Sequence, residues 1–125
     1  MLDFNYLKMN HKDLEVWKQS MDLVALIYKT TDLFPKSEQF GLSQQMRRAA
    51  VSIPSNIAEG AARKGNKEFI QFVSIALGSL AELETQLLIS ERLNYIEGNM
   101  ESNQAIISTR KLLIGFRNHL KKNQK

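Results

Sequence analysis

A chain of 125 residues, 43% apolar and 24% charged with only six glycines and two prolines, has the length for one domain with its own core and is too apolar for a disordered or collagen-like class. The absence of cysteine removes disulfides, thiolate catalysis, iron–sulfur clusters and Cys-based zinc sites. Seventeen Lys and Arg against thirteen Asp and Glu give a formal charge of +4 and a sequence pI near 9.4, which admits a polyanionic partner without demanding one.

Residues 1–12 read as an N-terminal segment. Asp3 comes early, and neither a continuous apolar stretch nor a small-residue cleavage site follows, so no secretory leader is expected. No apolar run approaches the roughly 20 residues that a bilayer crossing needs. The expectation is a cytoplasmic protein with no membrane partner.

The first helix is expected from Asp13, as N-cap, to Thr31, with Trp17, Met21, Val24, Tyr28 and Thr31 stepping by four and three along one face. Phe34-Pro35 ends it, because the residue before a proline is pushed out of the helical region. The second helix starts near Ser43, carries the narrow stripe Leu42, Met46, Ala50, Ile53, Ile57 and Ala61, and stops by Gly65. Pro54 falls inside it and removes one backbone hydrogen bond. The apolar spacing continues in register across the proline, which predicts a kink and not a break, with Ser52 and Ser55 helping to satisfy the freed backbone.

The third helix opens after Gly65-Asn66, where Phe69, Val73, Ala76, Leu80, Leu83, Leu87 and Ser90 alternate strictly by four and three. Gly98-Asn99 is the next expected turn. Ile106, Thr109, Leu113, Phe116 and Leu120 repeat the alternation in a fourth helix. Four helices of similar length joined by short linkers predict an all-α fold, an antiparallel up-and-down four-helix bundle over residues 13–122 with a basic tail at 123–125.

Bundles often house di-metal centres built from Glu-x-x-His pairs. Neither His11 nor His119 has a Glu three residues before it, and both read as solvated surface residues. No P-loop, dinucleotide fingerprint or nucleophile elbow occurs. Ser108-Thr109-Arg110-Lys111 fits the S-x-x-K spelling of serine acyl-transferases, but the partner motifs are missing. The sequence therefore assigns no catalytic residue, metal ligand or cofactor, and the protein is expected not to be an enzyme.

The charges are unevenly placed. Between Gln39 and Lys67 they are Arg47, Arg48, Arg63, Lys64 and Lys67 against Glu59; Glu68 to Glu101 is acidic; and from Ser102 onward Arg110, Lys111, Arg117, Lys121, Lys122 and Lys125 meet no acid. This predicts a basic surface near helices two and four beside an acidic helix three. Lys121 and Lys122 equally suit a solvated helix C-terminus. Arg47 and Arg48 equally suit salt bridges to helix three, in the same or a neighbouring subunit. The aromatic residues are not interleaved with Arg and Lys, so any nucleic-acid contact is expected to be backbone-directed and salt-dependent.

Helix two also carries a polar line of Arg48, Ser52, Ser55 and Glu59 flanked by Asn56, and helix three has Gly78 on one edge and Ser79, Glu82 and Gln86 on another. Gly78 costs about 1 kcal/mol against Ala inside a helix, which suggests close helix approach. These residues read as oligomer contacts, or else as solvent faces.

The stretches RRAAVSIPSNIAEG (Arg47 to Gly60) and ALGSLAELETQL (Ala76 to Leu87), with DLEVWKQSMDLVALIY from Asp13, the FPKSEQFGL linker and ERLNYI, resemble the four-helix-bundle proteins encoded in intervening sequences of bacterial 23S ribosomal RNA genes. The resemblance covers roughly residues 13 to 96. It implies a bundle that assembles into a ring, a homopentamer, without catalytic activity. The chain is also similar to accessory proteins of diversity-generating retroelements, basic pentameric barrels that contact nucleic acid and a reverse transcriptase. On the family motif, Arg47, Arg48, Ser55, Asn56 and Glu59 are then interface and bundle-ordering residues.

Two functions follow as expectations. The first is a homo-oligomeric bundle that binds RNA or DNA through Arg47, Arg48, Arg63, Lys64, Lys67, Arg110, Lys111, Arg117, Lys121 and Lys122. The second is a scaffold ring that docks an acidic protein partner or an enzyme.

Overall fold

Four helices carry the chain in the computed structural model, which describes residues 10–98 and 100–123. They are α1 (Glu15–Thr31), α2 (Leu42–Ala61), α3 (Asn66–Arg92) and α4 (Glu101–Lys122), with 3-10 turns at His11–Asp13 and Lys36–Glu38 and no strand among the described residues. The first nine residues of the N-terminal segment, Asn99 of the expected turn, and Gln124 and Lys125 of the basic tail lie outside the described residues.

Side-chain pairs fix the helix directions. Arg47 near the start of α2 reaches Asp32, just past the end of α1, at 2.8 Å. Ser90 near the end of α3 lies 3.5 Å from Met46 near the start of α2. Along the α3–α4 seam Glu91 pairs with Asn103 and Glu84 with Arg110, one number rising as the other falls. The hydroxyls of Thr30 and Ser102, 2.8 Å apart, close α1 onto α4. Each helix packs on its two neighbours and none crosses the diagonal, which is the up-and-down arrangement that short connections impose.

The expected seams of α3 and α4 are the buried ones: Val73, Ala76, Leu80, Leu83, Leu87 and Ser90 on α3, and Ile106, Thr109, Leu113 and Leu120 on α4. On α1 the seam lies one residue earlier than expected. Val16, Ser20, Leu23, Ile27, Thr30 and Thr31 are buried, while Met21 and Tyr28 are exposed. The displacement has a cause in the hydroxyls. Ser20 donates to the carbonyl of Trp17, Thr30 to that of Leu26 and Thr31 to that of Ile27, so each enters the core with its polar atom already bonded within its own helix.

The ends of two helices depart from the sequence reading. Asp13 does not cap α1; it ends the 3-10 turn, and Leu14 stands at the cap position without a side-chain bond. α3 stops at Asn94, in the left-handed region at φ 61°, with Tyr95 N–H donating to Ser90 and Asn94 N–H to Glu91, the paired bonds of a Schellman motif. α2 is continuous through Pro54, as the uninterrupted apolar spacing predicts. The proline leaves the Ala50 carbonyl without its amide, and the nearby hydroxyls bond elsewhere, Ser55 to the Val51 carbonyl and Ser52 to Ser79.

α2 and α3 make the most extensive contact. Small residues allow it: Ala49, Ala50 and Gly60 are buried on α2, and a Cβ added at Gly60 would stand 2.7 Å from Phe69 Cδ1 and from Phe72 Cβ. The polar edge of this seam is zipped by Ser52 and Ser79, 2.8 Å apart, with the Asn56 amide donating to the carbonyl and hydroxyl of Ser52. By contrast, a Cβ at Gly78 would meet nothing within 4 Å, so within the chain the close approach is made by Gly60.

Candidate nucleic-acid interface

Folding divides the ten candidate cations between the two ends of the bundle and the flank of α4. Arg47 and Arg48 lie where α1 ends and α2 begins. Arg63 and Lys64 lie in the α2–α3 turn and Lys67 in the first turn of α3, about 24 Å farther along the bundle at 1.5 Å per helical residue. Phe69 and Phe116 meet edge to face at 5.1 Å, which brings the last turns of α4, with Arg117, Lys121 and Lys122, to the Lys64 end. Arg110 and Lys111 sit midway along α4. The acids Asp32, Glu38, Glu91, Glu97 and Glu101 gather at the Arg47 end. The Lys64 end also holds the acids Asp13, Glu15, Glu59 and Glu68, and the Arg47 end the cations Lys29, Lys36 and Arg92, but the excess of Lys and Arg over acids lies at the Lys64 end.

The individual cations are differently occupied. Arg47 is fully engaged: Nε donates to Thr31 Oγ1 at 2.8 Å, Nη2 to Asp32 Oδ1 at 2.8 Å, and the guanidinium lies 4.6 Å from the centre of the Tyr28 ring. Its carboxylate partner belongs to the end of α1 and not to α3. Arg63 pairs with Glu59 at 3.3 Å and lies over the Phe72 ring at 4.9 Å. Arg110 pairs with Glu84 at 2.6 Å. Arg117 is half-buried, with Nε enclosed and without a hydrogen-bond partner among the described residues. Arg48, Lys64, Lys67, Lys111, Lys121 and Lys122 are exposed and form no ion pair among the described residues.

The Lys64 end is thus the cationic end. α3 starts there with Gly65 at the cap position and no side-chain acceptor, so its first amides add to the positive field. Lys121, Lys122 and His119 occupy the last turn of α4, where they also offset the negative end of that helix. His11 is half-buried, packed edge-on against Trp17 at 5.2 Å, whereas His119 is exposed as expected, its ring stacked on Phe116 at 6.5 Å. Among the described residues no cluster of His, Asp or Glu could hold a metal ion.

The expected oligomer contacts divide as well. Ser52, Asn56 and Ser79 are used inside the chain, in the α2–α3 seam, and Gln86 is buried with Oε1 lacking a hydrogen-bond partner. Arg48, Ser55, Glu59, Gly78 and Glu82 remain exposed. Beside Gly78, the outer face of α3 presents Ile75 and Ile89, each about half exposed. An 18-residue window of this helix has mean hydropathy 1.4 with 33% of it buried, and by length and composition alone α3 would suffice to cross a bilayer.

Sequence reasoning missed one grouping. Phe40, in the linker before α2, is 83% exposed and lines an open cleft with Tyr28, Gln39, Gln44, Arg47 and Arg48. These residues are scattered over 21 positions of sequence, so an aromatic residue beside arginines could not be read from spacing. The available signal was an aromatic residue lying off every apolar seam.

The geometry defines a helical-bundle protein with one cationic end and a second basic cleft. The chain belongs to the 23S rRNA-intervening sequence protein family, whose model matches residues 12–115. The match reaches beyond the two signature stretches into most of α4. No curated protein matches the sequence.

Proposed function

We propose that the protein is a non-enzymatic, homo-oligomeric helical bundle that binds RNA or another nucleic acid through its cationic end in the cytoplasm. The observation that carries this reading is the group Lys64, Lys67, Lys121 and Lys122, brought to one end of the fold and left without carboxylate partners among the described residues. Unpaired ammonium groups bind phosphates as point charges and release counterions when they do so. The copies form a ring, a pentamer, through the exposed faces of α2 and α3 that carry Ser55, Glu59, Gly78 and Glu82. A bend of α2 at Pro54 belongs to the same reading, since it would tilt the outer face of that helix.

Exchange of Lys64, Lys67, Lys121 and Lys122 for Glu is expected to abolish RNA retention at low salt. With four phosphate contacts on a single strand, wild-type affinity should fall about 50-fold between 50 and 200 mM salt. Retention that survives the fourfold exchange overturns the reading. A second reading, a scaffold ring that docks an acidic protein, is favoured by Ile75 and Ile89, which a phosphate backbone does not need. It predicts weak RNA binding and recovery of a protein partner that the same exchange releases.

A further inference from the structure

We propose that the cleft between the end of α1 and the start of α2 is a stacking subsite for one nucleotide of a single-stranded nucleic acid, with the base on Phe40 and its phosphate on Arg48. The ring of Phe40 is 83% exposed, yet the linker that carries it is braced. Glu38 accepts the Leu42 N–H at 3.1 Å and the Tyr95 hydroxyl at 2.8 Å, Phe34 packs against Tyr95 at 5.3 Å, and the Gly41 N–H returns to the Glu38 carbonyl at 3.0 Å. Phe40 is therefore held toward solvent by a fixed turn. A pre-positioned aromatic face loses little freedom when it stacks.

The lining of the cleft matches a nucleotide in kind and sign. Tyr28 and Arg47 form one wall as a stacked pair at 4.6 Å, with the charge of Arg47 offset by Asp32. That leaves Arg48, which has no ion pair among the described residues, as the uncompensated cation. Gln39 and Gln44 in the lining carry amides that can donate to and accept from base edges, and among the described residues no carboxylate lines the cleft. An aromatic platform beside arginine is the arrangement that takes unstacked bases; a duplex, whose bases are already stacked, has none to offer. The inference takes its ligand class from the function proposed above. Its site lies at the opposite end of the bundle from Lys64 and Lys67, so the two fail separately.

The test is fluorescence anisotropy of a labelled oligouridylate, an abasic strand of the same length and an RNA duplex, titrated with the full chain and with the variants Phe40→Ala, Phe40→Trp and Arg48→Gln. The wild type should bind the oligouridylate more tightly than either other strand. Phe40→Ala should weaken that binding about 5- to 150-fold while leaving the abasic strand unchanged, and Phe40→Trp should restore it. Arg48→Gln should weaken both single strands. Equal binding of oligouridylate and abasic strand by the wild type overturns the subsite and leaves the backbone reading standing, whereas no binding of any strand overturns both. A change of subunit number in Phe40→Ala, seen by light scattering, assigns the ring to a contact between copies and also overturns the subsite.

Discussion

Gly60 and Gly78 lie on the two helices that pack most closely, and the space around each is different. At Gly60 an added methyl would meet Phe72 Cβ at 2.7 Å, an atom next to the backbone that cannot swing aside. Gly60→Ala is therefore expected to destabilise the fold by about 1–3 kcal/mol. At Gly78 the methyl meets nothing, and Gly78→Ala is expected to stabilise the isolated bundle by up to about 1 kcal/mol through helix propensity. Urea midpoints of the two variants check both signs, and a loss of stability in both would contradict the open surroundings of Gly78. Both positions are the same letter in the sequence, and only the facing helix distinguishes them.

At the scale of elements, the start of α2 depends on a carboxylate borrowed from the preceding turn. The Leu42 N–H, and after it the Tyr95 hydroxyl, hold the Glu38 carboxyl below its ordinary value of 4.5 despite an opposing desolvation. The Glu38 hydrogen bond in turn raises the Tyr95 hydroxyl above its ordinary 10.0. A lowered carboxylate favours the fold above its ordinary pKa and loses that contribution as pH falls through the folded value. A raised tyrosine contributes below its ordinary pKa and loses its share as pH rises. Glu38→Gln should accordingly lower the thermal midpoint at neutral pH, with the difference from wild type closing below about pH 4.5. A gap that stays constant across that range would refute the role. The seams of α3 and α4 were legible because their apolar residues alternate strictly and face one core. The seam of α1 was not, since two neighbouring lines share its spacing and the line that wins contains Ser20 and Thr30, whose hydroxyls are satisfied by their own helix. Asn94, which ends α3, was hidden for a similar reason: its left-handed backbone is a property of conformation that glycine usually advertises and asparagine does not.

For the molecule as a whole, the cationic residues were legible and their grouping was not, because antiparallel helices bring distant parts of the chain to the same end. The proposed ring multiplies the formal +4 of one chain to about +20 on five copies, enough to steer a polyanion that comes within a Debye length, about 30 Å at 0.01 M salt. Light scattering after size exclusion should give a particle five times the 14.3 kDa chain mass, and a mass of one chain would refute the assembly. The placement of Lys64, Lys67, Lys121 and Lys122 at one end, with the Phe40 cleft at the other, bears on the handling of such a particle. In a cyclic assembly whose axis follows the helices, every such lysine group falls on one rim and every Phe40 cleft on the other, as cyclic symmetry never inverts a subunit. The result is a two-faced disc, which would gather phosphate backbone on one side and unstacked bases on the other.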